Sequence, residues 1–433
     1  MNKKGVSSRI AIVAALIVII IVACVAVWYW LSMQAPPPPS KGEPVKVAVL
    51  TNLSGGVAGM GIRAKILWDA LIYEINAEKG IYVEKTGLYH TVQLIYYDCE
   101  SSPSRSAEIA TKVASEGQVN LIFVQAGPPT ITLPAVLSIE KIGNTPAIAE
   151  GCTDTHIQLG LPAAPGGKYT WTWVLHHSLV NLAEKNGLPF LASLKDRTNK
   201  VVGLLFEDDP DGHFLQSSGY PQKLRDAGLT VVDPGLIPPG TADLTSIVVK
   251  FKEANVEMVY ADIMPDTGIT FLRQSAGLGY KPKVVVYTRA VSAAGSPDPF
   301  GDLAVGLVKD LFWWDTYPYP GNDWIRENWP RISGGLFYSS FEGYAYAWVQ
   351  VLIEAVKIAG SLDKKAINEA FPKVELTTPV GKVKFDPQTH TAAGVTTLGQ
   401  ISKTTDGKWQ IKVVYAPEGT GITTEPLMFP KPW

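Results

Sequence analysis

The stretch VKVAVLTNLSGGVAGMGIRAKILWDALIYEINAEKGI, residues 45–81, decides the fold. It opens on a short apolar run (45–50) and passes through a turn-rich segment at 52–61. It continues with Ala64, Leu67, Trp68, Leu71, Ile72 and Ile75 on one helical face. The same alternation then repeats. Strand-like runs at 91–97 (TVQLIYY), 120–124 (NLIFV) and 146–149 are separated by helical segments, including 106–115 and one opening at 127–130. Strands alternating with helices at this spacing predict βαβ units and a parallel sheet.

A second unit of similar size follows. Runs at 200–206 (KVVGLLF), 229–232, 257–261 (EMVYA) and 283–287 (KVVVY) alternate with helical patterns at 215–227, 244–254 and 267–278. The last third differs, with helices at 343–359 and 364–370 and antiparallel strands at 380–385, 397–402 and 409–415. The chain exceeds the usual size of one hydrophobic core. The fold class expected is therefore α/β, with two doubly wound parallel-sheet lobes. In open parallel sheets ligands sit beyond the carboxyl ends of the strands, and the turn-rich segments occupy that edge.

Upstream, Lys3, Lys4 and Arg9 precede an apolar run at 10–31, and Trp28, Tyr29 and Trp30 close it. About 22 residues of helix span roughly 33 Å, enough for a bilayer core of about 30 Å. Positive charge on the N-terminal side alone predicts that end in the cytoplasm. The expectation is a leader at 1–9, a single transmembrane anchor at 10–33, a stiff proline-rich spacer at 34–44, and the remaining chain outside the cell. The run is longer than the core of a cleaved secretory signal. Residues 21–24 (IVAC) resemble a lipoprotein box, yet the chain stays apolar beyond Cys24; residues 3–8 resemble an archaeal pilin-like signal, whose cleavage leaves the helix attached. Both forms of processing stay open.

Net charge is −2, and no basic run exists beyond the N-terminus, which argues against nucleic acid as a partner. Cys99 and Cys152 are expected at the ends of strands separated by two others, about 14 Å apart at ~4.8 Å per strand. That exceeds the ~7 Å reach of a disulfide and favours free thiols. His176 and His177 are adjacent, so in extended chain they point to opposite faces and share no metal. His90, His156, His213 and His390 read as surface or polar-loop residues. No H-E-x-x-H, C-x-x-C or G-x-S-x-G occurs. Gly59, Gly61 and Ala64 satisfy G-x-G-x-x-A after a strand, the pattern of a dinucleotide-binding dehydrogenase. The acid ending the second strand, Asp98, lies 34 residues beyond Ala64, however, rather than at the usual spacing. No enzyme activity, cofactor or metal is expected.

Five segments together resemble the type I periplasmic (extracellular) solute-binding proteins, specifically the branched-chain amino acid, amide and urea binders of ABC importers. They are LSGGVAGMG (53–61), EINAEKGI (74–81), FLRQSAGL (271–278), AGSLD with INEA (359–363 and 367–370), and TPVGKVKFDP (378–387). The resemblance implies two lobes joined by a three-strand hinge: 45–175 plus 303–378, and 176–302 plus 379–433. It also implies ligand-holding loops after the third and fourth strands, at Gly127 and Thr130 and at Gly151, Cys152 and Thr153. Helix N-termini there offer free N–H groups independently of the family; an ordinary capping turn is the plainer reading. Ser54 and Gly55 occupy the matching turn of the first strand.

From the second lobe, the loops at 207–214 and 262–267, including Asp262, are expected to meet the ligand on closure, with Phe214 or His213 against it. Arg289 stands where amino acid binders of the family carry a glutamate for the ligand's ammonium group. An arginine there favours a carboxylate or another acceptor-rich group; the alternative is a hinge arginine paired with a nearby aspartate, with Asp262 or Glu150 serving an ammonium group. Trp313 and Trp314, near a crossover, are core residues or a stacking wall. The function implied is a membrane-tethered receptor on an archaeal cell surface. It captures a small amino acid, amide or carboxylate by hinge closure and delivers it to an ABC permease and its ATPase. The alternative is a ligand-sensing or pilin-like surface protein of the same fold.

Overall fold

In the computed structural model, which describes residues 41–125 and 127–433, the run at 45–50 lies inside β1 (Lys41–Thr51). From Val47 onward every residue of β1 is buried, as a strand covered on both faces requires. The first half continues with β2 (Ile81–Val83), β3 (Leu88–Asp98), β4 (Leu121–Gln125), β5 (Ala147–Ala149) and β6 (Thr172–His176). The second contains β7 (Val201–Glu207), β8 (Thr230–Val232), β9 (Leu236–Ile237), β10 (Met258–Asp262), β11 (Val284–Tyr287) and β12 (Val308–Leu311). The chain ends through β13 (Glu375–Thr378), β14 (Gly381–Lys384), β15 (Thr391–Ala393), β16 (Thr397–Lys403) and β17 (Trp409–Tyr415).

Two sheets result. The first runs β15-β6-β5-β4-β1-β3-β2, and the second runs β17-β16-β12-β11-β10-β7-β8, with β9 also on β7. Pairings β1–β4, β4–β5, β5–β6 and β6–β15 are parallel, as are β7–β10, β10–β11 and β11–β12. The final strands β16 and β17 pair antiparallel on β12. The chain passes between the sheets after β6, after β12, and between β15 and β16.

Several boundaries differ from expectation. β12 lies in the second sheet, so the return to the first half comes after Leu311 rather than at 303, and β15 rejoins the first sheet from within the stretch assigned to the second lobe. The helix expected at 215–227 is two, Pro210–Ser217 and Tyr220–Asp226. The break falls at Gly219, in the left-handed region, with Pro221 opening the next helix because it cannot continue the last. The leader, the anchor at 10–33 and most of the proline spacer lie outside the described residues. Among the described residues no single helix is long and apolar enough to cross a membrane.

The helix Ala58–Ala77 packs on β1 through Gly61, where a Cβ would come 2.1 Å from the carbonyl oxygen of Asn52. The glycine thus has a packing role at this strand–helix turn. The helix Glu342–Ala359 closes the same layer. Its Trp348 stacks on Trp68 (6.1 Å) and meets Phe123 of β4 edge-on (5.3 Å), and its Nε1–H donates to the Leu175 carbonyl of β6 at 3.0 Å. One side chain therefore joins a helix, a second helix and two strands. Trp348→Ala is expected to destabilise the protein by about 3–5 kcal/mol, as large-to-small aromatic changes in cores do. Urea unfolding followed by tryptophan fluorescence and far-UV circular dichroism checks it.

Candidate functional site

Seven strands of the two sheets present their carboxyl ends to one enclosed pocket. Gly127, Pro128 and Pro129 follow β4; Glu150, Gly151 and Cys152 follow β5; His176 and His177 close β6. From the second sheet come Asp211 after β7, Met264 after β10, Arg289 after β11 and Phe312 after β12. Met60, Ala293 and Phe341 complete the lining. The cavity measures about 40 Å³. By this measure one water needs about 10–15 Å³, so the space suits a few waters or part of a small molecule.

The first sheet's wall is a set of buried polar groups that hold one another. Gly127 N–H, at the entry to the helix Pro129–Ile142, donates to Glu150 Oε2 at 3.1 Å. Burial pushes the Glu150 carboxyl up to about 8, against the lowering effect of Gly127 N–H and Gln125. Glu150 Oε1 lies 3.6 Å from His176 Nε2. His176 and His177 share an Nδ1···Nδ1 hydrogen bond of 2.7 Å, so with both rings neutral one donates and the other accepts. Burial lowers both, His177 to about 3 with Arg289 adding to the effect, so both are neutral. Their rings lie on Phe341 and Phe312 respectively. Gly151 has φ +112, and a Cβ there would lie 3.0 Å from His156 Nε2, which pairs with the Glu150 carbonyl.

The second sheet's wall is built around Arg289. Its guanidinium lies 2.6 Å from Asp209, 3.2 Å from Asp211, 3.2 Å from Asp262 and 3.8 Å from Glu207. Burial works against its charge, and Asp262, Asp209, Asp211 and Glu207 more than offset that. Burial also raises Glu207, Asp262 and Asp211, the last to about 7, with Arg289 opposing in each case. Thr267 and Thr288 donate to Glu207 and Asp262, and the Asp209 carboxylate caps the helix Pro210–Ser217. Across the seam, Thr155 donates to Asp211 Oδ1 at 2.6 Å, and Gln158 Nε2 to Ser217 Oγ at 3.2 Å.

Of the residues singled out from sequence, Gly127, Gly151, Cys152 and Arg289 line the pocket. Thr153 and Asp262 stand behind it: Thr153 bonds the His177 carbonyl, and Asp262 holds Arg289. Ser54, Gly55, Thr130 and Phe214 are outside the lining. Ser54 is exposed and bonds Asp98 at 2.7 Å; Gly55 packs over Ser101; Thr130 faces solvent on its helix's outer side; Phe214 is half-buried against the core. Arg289 is paired with aspartates, the alternative raised for it above.

Two further expectations are corrected. The two adjacent histidines touch rather than diverge, because His177 lies past the end of β6 and leaves the pleat. His90 and His156 are buried, not surface residues. Trp313 and Trp314 are core residues, and no tryptophan lines the pocket. Cys99 and Cys152 are free and buried, with β1 and β4 between their strands. Among the described residues no cluster of His, Cys, Asp and Glu suits a metal ion. His176 and His177 were weighed from sequence only as metal ligands, Asp211 fell within the expected loop at 207–214 without being singled out, and Phe312 and Phe341 were not read as site residues. The signal available was position, since each but Phe341 closely follows a strand; β6 and β12 went unread.

Comparison with known proteins agrees with this geometry. The sequence model of a family described as "Periplasmic binding protein" matches residues 44–408. The Leu/Ile/Val-binding protein homolog 6 of Brucella suis biovar 1 (strain 1330) is 23% identical over 384 residues, 87% of this chain and 92% of its own. An ABC transporter substrate-binding protein from Sphaerobacter thermophilus superposes with a TM-score of 0.69 at 21% identity, covering 87% of this chain and 98% of its own. A solute binding protein of an ABC transporter from R. palustris, in complex with 4-hydroxybenzoate, gives 0.69 at 17% identity, covering 88% and 99%. At these identities the structural matches speak for the fold.

Glu150 carries a testable consequence. Its folded value of about 8 lies above the ordinary 4.5. A raised carboxyl stabilises the fold at low pH, and that contribution is lost as pH rises through the folded value. The stability advantage of Glu150→Gln over the wild type is therefore expected to grow from about pH 4.5 to about pH 8 and stay level above. Urea midpoints at pH 5, 6.5 and 8.5 check it; a pH-independent difference would mean that Glu150 is ionised in the fold.

Proposed function

The chain belongs to the periplasmic binding protein family, and on that premise we propose that it is the solute receptor of an ABC importer, enclosing one small polar organic molecule at the seam between two lobes. The observation that carries this reading is the pocket itself: most of each wall is made of residues at or shortly after the carboxyl ends of parallel strands, one wall from each sheet. Three chain passages join the halves, which suits rotation of one lobe against the other. Closure forms the Thr155–Asp211 hydrogen bond, and the closed form is what the permease would recognise. No bond is made or broken in the solute, so the protein is no enzyme.

The ligand-contacting residues in this reading are Gly127, Gly151, Cys152 and Arg289, joined by Glu150, His176, His177 and Asp211. Amino acids, amides and carboxylates form the ligand range to be screened, consistent with what the relatives' names and ligands suggest for those proteins. The binding domain acts outside the cytoplasm, and the apolar run at 10–31 supports a tether that keeps it beside its permease.

A thermal-shift screen of amino acids, amides, amines, carboxylates and sugars tests the proposal. A ligand at 100 times its Kd adds about 2.7 kcal/mol to stability, which raises Tm. Thr155→Val is expected to weaken the best hit by about tenfold or more, since a hydrogen bond to a charged group contributes about 1.5 kcal/mol or more. No compound raising Tm, with the protein folded, would contradict the receptor reading.

A further inference from the structure

The two anion-binding groups that the sequence offers are already occupied by the protein's own carboxylates. The Gly127 N–H at the helix entry is taken by Glu150. The Arg289 guanidinium is taken by Asp209, Asp211, Asp262 and Glu207, all within 3.8 Å. Four carboxylates face one guanidinium, and no other lysine or arginine among the described residues pairs with any of the four. Of these four acids Asp211 lines the pocket, and Glu150, on the opposite wall, is the second acid in its lining. The neighbouring groups that face Asp211 are Thr155 and Cys152 from the first half, and Arg289, Asp209 and Asp262 from its own. Buried carboxylates without matching cations are unfavourable, and a positive ligand supplies what the protein lacks.

A second observation points to a ligand independently of the acids. His176 is 3% exposed, it lines the pocket, and its Nε2 has no hydrogen-bond partner. When its Nδ1 donates to His177, Nε2 carries a bare lone pair 3.6 Å from Glu150 Oε1, an acceptor suited to a ligand N–H placed beside that carboxyl. Phe312 and Phe341 line the same space, and aromatic faces attract cations.

Resting on the receptor reading above, we propose that the ligand is a small organic cation without a carboxylate, an amine or related ammonium compound. Its charged group lies between Asp211 and Glu150, with its apolar body against Met60, Met264, Phe312 and Phe341. This narrows the screened range and removes plain carboxylates from it. Protons on the acids stand in for the cation when the pocket is free, so binding of the cation releases protons.

Matched probes isolate the charge. Isobutylamine, isobutyramide and isobutyrate share one body; benzylamine, benzamide and benzoate share another. Isothermal titration with the full chain is expected to rank each amine about tenfold or more above its carboxylate. The amine's affinity is expected to rise about fivefold or more from pH 6 to pH 8, and the amide's to stay level. Asp211→Asn is expected to weaken the amine by about tenfold and leave the amide nearly unchanged. Should that variant fail to fold, the wild-type pH comparison carries the test. A carboxylate that binds as tightly as its amine overturns the inference and leaves the receptor reading intact. So does a best screening hit that bears a carboxylate or no positive charge. Silence of every compound in both sets overturns the receptor reading itself, and this inference with it.

Discussion

A parallel sheet wrapped by helices on both faces leaves few backbone groups free, and those lie at the carboxyl ends of its strands. That constraint organises the whole molecule. Each sheet is covered, β4 throughout and β1 from Val47 onward, so polar chemistry is confined to one edge. Because the chain passes between the sheets three times, both edges meet at one seam. Everything with binding potential collects there: an N–H at a helix entry, positive-φ glycines, two histidines and an arginine.

The seam is held by charges that depend on one another. Arg289 is tolerated in the interior because acids surround it, and the acids are tolerated in part because of Arg289. Removing either side would leave buried charge uncompensated, which is far more damaging than losing a surface ion pair. The connecting strand β12 shows the same economy. Its Lys309 is buried, reaches only Ser340 Oγ at 3.1 Å, and is lowered to about 7 by burial. Its neighbour Asp310 is fully buried and raised by burial.

Much of the architecture was legible in the sequence because buried parallel strands read as uninterrupted apolar runs. β1, β4, β10 and β11 fall in such runs and appear within a few residues of expectation. The misses have physical causes. β12 reads VKDL, and two charges in four residues conceal a strand that is buried throughout. β6 ends in histidines and follows a stretch of glycines and prolines, so it resembled loop. Missing β6 and β12 meant missing His176, His177 and Phe312, since site residues here are found by counting forward from strand ends. Thr130 and Phe214 show the opposite error: Thr130 lies on a helix where one was expected and Phe214 on a helix that begins five residues earlier than expected, and both side chains lie off the pocket. Loop position is legible from sequence; side-chain direction depends on the exact residue at which a helix begins. The pairing of Arg289 with four acids drawn from the ends of two other strands was beyond reach, because it depends on the order of strands in the sheet.

The central claim is that the seam opens and closes around a solute. Spin labels at Thr130→Cys and His213→Cys place one probe on each side of the mouth, both on exposed positions. Electron–electron double resonance on the free protein and on the protein saturated with its best-binding compound tests the claim most directly. The account predicts a broader distribution of longer distances without solute, and a single shorter, narrower one with it. Identical distributions in both states, from a sample that binds the compound, would contradict it.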